Sequence, residues 1–133
     1  MTVELNNLFT TLAGKELDPA VGIRVARLSG EDAFCFFGAE ISAGTKLSAH
    51  FHREGPEIYY ILAGKGRMSL GDLEGEVGVH WEEVFDVAAG DCFTVQPGQV
   101  HQLENNGHSS LNALFGCSAT HLTTDRTVLG ASR

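Results

Sequence analysis

The residues best suited to chemistry in this chain lie within residues 44–64, GTKLSAHFHREGPEIYYILAG, where His50 and His52 are followed by Glu57. In an extended strand, residues two apart share a face. His50 and His52 therefore project together, and Phe51 projects the other way. On the next stretch Glu57, Tyr59 and Ile61 share a face. If the two stretches pair, with Arg53 to Pro56 as their connection, Glu57 lies beside the imidazoles. Two imidazole nitrogens and a carboxylate oxygen suit a first-row divalent metal and leave positions open for water or substrate. An HxH pair alone is often only the polar face of a strand. The candidate for a fourth donor is His101, which starts a strand after the turn Gln96-Pro97-Gly98-Gln99. His80, His108 and His121 are expected to be solvated surface histidines.

The elements that must position these groups read as strands. Sixteen glycines punctuate short runs rich in Val, Ile, Phe, Tyr and Thr. Strands are predicted over 22–28, 33–41, 46–51, 57–63, 67–70, 84–87, 91–95, 100–104 and 111–117, each bounded by turn residues. That density without long helical periods predicts an antiparallel sandwich or barrel. Leu5, Leu8, Phe9 and Leu12 alone show helical spacing and predict a short N-terminal helix or arm. Gly64-Lys65-Gly66 reads as a hairpin turn joining two strands. The stretch 71–83 reads as a longer hairpin or a flap, with Trp81 lining a ligand or packing on the exterior.

Bulk properties narrow the function classes. The 133 residues fit one domain, 43% apolar and 20% charged. Nine basic against seventeen acidic residues give a net charge of −8. That balance argues against nucleic acid or an anionic membrane as partner. No run approaches the roughly 18 apolar residues of a membrane span, and the N-terminus shows no secretory pattern. Three cysteines, Cys35, Cys92 and Cys117, each in an apolar stretch, read as buried thiols in a reducing cytoplasm.

The spacing Gly44-x5-His50-x-His52-x4-Glu57-x6-Gly64 resembles the first conserved motif of the cupin superfamily at every fixed position. Residues 90–105, GDCFTVQPGQVHQLEN, resemble the second, with Gly90, Gly98, His101 and Asn105 in register. One departure is that Gln96 occupies the usual proline position and Pro97 follows it. The resemblance implies an all-β fold, a double-stranded β-helix or jelly-roll barrel, with 1–133 as a single cupin domain. It carries His50, His52, Glu57 and His101 over as ligands of one divalent transition metal per chain. Mn, Fe, Zn, Ni, Co and Cu all accept such donors.

Cupins include sugar-phosphate isomerases and epimerases, dioxygenases, oxalate-type decarboxylases and sugar-sensing domains, so the fold does not fix the reaction. The expected function is metal-dependent isomerisation or dioxygenation of a small oxygen-rich molecule, a sugar or carboxylate. The alternatives are an oxalate-type decarboxylase and a non-catalytic binding or sensing module. Tyr59 is either a hydrogen-bonding or acidic group at the site or a core aromatic, and Glu54 is either an acid–base group or an exposed loop residue. Arg67 binds a substrate carboxylate or phosphate if it faces inward, and Gln96 is a further substrate-side candidate. A small-molecule ligand and a homodimer in the cytoplasm are the expected partners and setting.

Overall fold

The computed structural model describes residues 2–18 and 22–129. Helix α1 (Leu8–Ala13) precedes β1 (Leu17–Asp18), β2 (Ile23–Glu31), β3 (Phe34–Ile41), β4 (His50–Phe51), β5 (Glu57–Ala63) and β6 (Lys65–Glu74). There follow β7 (Gly78–Ala88), β8 (Cys92–Val95), β9 (Val100–Glu104), β10 (Leu111–Cys117), a 3-10 turn at Ala119–Leu122 and β11 (Thr127–Val128). One sheet has the order β1-β2-β3-β10-β5-β8 and the other β11-β4-β9-β6-β7. The pairings are antiparallel, which gives the double-stranded β-helix of the expected all-β class.

Strand alternation places the core between the sheets. On β5, Glu57, Tyr59 and Ile61 are buried while Ile58 and Tyr60 are exposed. Phe37, Ile41, Ile61, Met68, Leu103, Leu111 and Phe115 share the same buried cluster. Fully burying an aliphatic or aromatic side chain of this size contributes on the order of 2 kcal/mol. The helix begins where Asn7 caps it, its side chain accepting from the N–H groups of Phe9 and Thr10. Leu8 and Leu12, one turn apart, pack on Ala26 and on Leu28, Leu62 and Leu114. Leu5 lies before the cap and Phe9 faces solvent.

Three local expectations are corrected. Gly64 does not turn a hairpin, because β5 and β6 belong to opposite sheets. It is a corner with φ +85, where an added Cβ would meet Ser110 O at 2.5 Å. The stretch expected as a strand over 46–51 pairs as β4 only at its end, with an isolated bridge from Lys46 to Glu104. Cys35 and Cys117 are buried, but Cys92 is exposed. Its neighbour Phe93 is the one that packs against the core. The stretch 71–83 lies in the long β6–β7 hairpin, paired from Lys65↔Ala88 to Glu74↔Gly78. Among the described residues no helix is long and apolar enough to cross a membrane.

Candidate metal centre

Both sheets contribute to the centre. His50 on β4 is the register partner of His101 on β9, so their rings lie 4.1 Å apart. His52 follows β4, with its ring 5.2 Å from His50 and 5.3 Å from His101. Their ligand nitrogens all lie within 4.8 Å of one another. Glu57 does not reach them by pairing beside β4, because β5 is in the opposite sheet. It faces the imidazoles across the barrel, with Oε2 3.3 Å from His52 Nε2 and Oε1 3.6 Å from His101 Nε2. The four residues are only 1% to 8% exposed.

Backbone carbonyls fix the tautomers. Nδ1 of His50 lies 3.0 Å from Ser48 O, that of His52 2.7 Å from Asp125 O, and that of His101 3.2 Å from Gln99 O. A carbonyl only accepts, so each Nδ1 donates, and in the neutral ring a metal requires Nε2 is the nitrogen left with a lone pair toward the interior. Nε2 of His52 and of His101 are buried without a hydrogen-bond partner. Orphaned acceptors of this kind, facing a carboxylate, are costly unless a cation joins them. Three clustered imidazoles, with a carboxylate within 3.3 to 3.6 Å of two of them, are the donors a divalent transition metal takes. The residues present therefore fit such an ion.

Residues 39–116 match the Cupin domain family. The chain belongs to this family. An uncharacterized protein of Methanocaldococcus jannaschii is 36% identical over 76 residues, 57% of this chain and 53% of that protein. The chain thus spans about half the length of that curated relative. Among solved structures, an uncharacterized conserved protein with a double-stranded β-helix domain from Klebsiella pneumoniae superposes with a TM-score of 0.70 at 14% identity. That likeness covers 97% of this chain and 99% of the other. The oxalate decarboxylase of Bacillus subtilis, a protein with Mn(II) centres, superposes with a TM-score of 0.64 at 22% identity over 82% of this chain and 28% of its own. At these identities the superpositions show the shared fold.

Electrostatics keep the cupin's donors ready. Burial pushes His52 down to about 4, further lowered by His101, and it also drives His50 well below the ordinary histidine value. Burial alone would raise the Glu57 carboxyl, but contacts with His101 and His121 hold it well below the usual carboxylate range.

His121 was expected in solvent; it is 1% exposed and sits against Glu57. Its Nδ1 lies 3.1 Å from Glu57 Oε2 and its Nε2 2.7 Å from Glu54 O. Both neighbours accept, so both nitrogens donate and the ring is an imidazolium. Burial lowers its pKa, yet the bond to Glu57 outweighs that and raises it. The ring also stacks on His52 at 4.2 Å and 8°. Nearby, the Asp125 carboxylate accepts from the N–H groups of Arg53 and Glu54 at 2.7 and 2.9 Å. Neither residue lies in a recognisable spacing motif, so nothing in the sequence tied them to Glu57.

The remaining candidates are placed as follows. Tyr59 lies beneath the site, stacked on Phe93 and Phe115, with its ring 6.1 Å edge-on from His101. Burial, aided by Glu57, pushes its phenol well above 10, so it stays protonated. Glu54 is exposed and contributes its backbone, not its carboxylate. Arg67 is not at the site: Met68 takes the inward position on β6, and Arg67 pairs with exposed Asp86 at 3.2 Å. Gln96 is exposed in its turn, its N–H bonded to Gln99 Oε1. Trp81 lines a groove with Ala49, Val79, Gln102 and Leu129, away from the imidazoles.

Proposed function

We propose that this cupin is a metal-dependent oxygenase, a dioxygenase by reaction class, acting on a small uncharged molecule with an apolar body and oxygen donors. The observation that carries this reading is the contrast between a complete donor set and the apolar barrel core that it adjoins through Tyr59. The interior cluster is Ile23, Phe37, Tyr59, Met68, Leu70, Phe115 and their neighbours. Among the described residues no lysine or arginine is buried. The half-buried Arg24 and Arg126 are paired with Glu40 and Asp18. A substrate carboxylate or phosphate would lose its hydration here and find no lysine or arginine, while the His121 imidazolium is already engaged by Glu57 and by Glu54 O. This weighs against oxalate and sugar phosphates.

The same inventory weighs against isomerisation, which needs a free base beside the substrate carbon. Glu57 serves the donor set, His121 has both nitrogens engaged, Tyr59 is held protonated and Glu54 lies outside. A redox-active divalent ion would supply the open coordination positions and electron transfer that these side chains lack. The chain's own part is to hold three imidazoles by Nδ1 with Nε2 inward, to fix the carboxylate, and to exclude water with the aromatic floor of Tyr59, Phe93 and Phe115.

Metal analysis of protein purified without additions should find about one transition metal ion per chain, and His50→Ala should lose it. Iron-loaded protein should consume oxygen with neutral compounds that carry oxygen donors on an apolar body and not with oxalate or hexose phosphates. Turnover of a charged substrate, isomerisation without oxygen uptake, or binding without turnover would each overturn the proposal.

A further inference from the structure

The four donors lie within residues 39–116, yet three of them are held by the segment that follows. Main-chain pairing sets Val128 opposite His50 and Thr127 opposite Phe51, and the Leu129 N–H donates to Ala49 O at 2.8 Å. Asp125 O receives the Nδ1–H of His52 at 2.7 Å, while its carboxylate takes the N–H groups of Arg53 and Glu54. His121 takes Glu57 Oε2 and spans to Glu54 O. The rings of His101 and His50 are oriented locally, through Gln99 O and Ser48 O, and His101 takes nothing from the segment.

The segment is itself anchored at both ends. The Ala119 N–H donates to Asp32 O at 2.9 Å, and Arg126 pairs with Asp18 at 2.8 Å. Between these anchors the Asp125 N–H donates to Thr120 O, closing the 3-10 turn onto the strand. His121 also stands with His52 and Glu57 in a second group of metal-ligand type, but with Nδ1 on Glu57 and Nε2 on Glu54 O it holds the carboxylate instead.

We propose that residues 118–129 form a clasp in which His121 and Asp125 act as positioning residues, setting metal affinity by orienting Glu57 and His52. This rests on the metal-centre reading above and adds residues outside the matched family region. With Oε2 bonded to His121, the Oε1 that faces His101 is the oxygen left for an ion. With Asp125 O fixed, His52 cannot rotate its Nε2 out of the barrel. Partners of ligand residues ordinarily govern affinity in this way, by about 10- to 100-fold. Binding and clasp closure are then linked, so each favours the other.

The test uses Mn(II) and the full chain. Affinity is measured by chelator competition, the binding geometry by electron paramagnetic resonance, and the clasp by amide hydrogen exchange with and without Mn(II). His121→Phe keeps the ring and its stacking but removes both N–H donors. It should weaken Mn(II) binding by about 10- to 100-fold and alter the resonance line shape. His121→Gln, which restores one donor, should recover part of the loss. Should His121→Phe fail to fold, Asp125→Asn carries the test, with a smaller loss in the same direction. Mn(II) should also slow exchange at residues 125–129 of the unaltered protein. Unchanged affinity and line shape in a folded variant, or unchanged exchange despite Mn(II) binding, would overturn the clasp and leave the metal centre standing. Absence of Mn(II) binding to the unaltered protein would overturn both.

Discussion

Acidification of the metal-free protein should reveal what the donor set costs the fold. His52 titrates at about 4 when folded, because burial disfavours its charged form, against about 6.5 for an ordinary histidine. Between those values the unfolded chain binds a proton at this residue that the folded chain refuses. Stability therefore falls as pH drops through this window. At pH 4.5 the loss from His52 alone is about 2.5 kcal/mol relative to pH 8, from the linkage relation and these two values. For a chain of this size that lowers the melting temperature by about 10 °C. His50 is also pushed down by burial and by its histidine neighbours, so it acts in the same direction. His121 acts oppositely: its raised pKa stabilises the fold fully below the unfolded value, and that contribution is lost as pH rises through the folded one. The His52 part is isolated by comparing the unaltered protein with His52→Gln in chelator, by thermal unfolding followed by circular dichroism from pH 8 to 4.5. The acid slope should be shallower in the variant, and the His52 ring resonance should titrate near 4. A His52 midpoint at 6.5 or above, or equal slopes in the two proteins, would refute the reasoning.

Two further predictions concern residues outside the donor set. Gly64→Ala should destabilise the fold by about 2 kcal/mol or more, since φ is +85 and the added Cβ meets the backbone of Ser110 and Leu111; urea unfolding checks this. Arg67→Ala should leave metal content unchanged and cost under about 1 kcal/mol, because the Arg67–Asp86 pair is solvent-exposed; metal analysis and urea unfolding of the variant read both.

Much of the fold was legible in the sequence because strand alternation is a local signal. The strands over 57–63, 100–104 and 111–117 were read at their observed bounds, each an apolar run between turn residues. The juxtaposition of His50 and His52 was equally local, since two residues on one strand face need no knowledge of the neighbours. Whether Glu57 pairs beside β4 stays open in the sequence because sheet membership depends on which strands pair at a distance, and the sharp corners at Arg53–Pro56 and Gly64 look like hairpin turns from within. Arg67 misled for a related reason: strand parity past a corner is set by the sheet it enters.

The sequence by itself determined a β-rich chain whose donor residues recur at the spacing of a known family, because residue type and period are properties of contiguous segments. Only the tertiary structure decided that Glu57 meets the imidazoles from the opposite sheet and that two Nε2 atoms are left without partners. It alone brought His121 and Asp125, more than sixty residues along the chain, against Glu57 and His52. Those contacts arise from the closure of two sheets around a buried volume, and no local pattern encodes which distant side chain fills the last position in such a space.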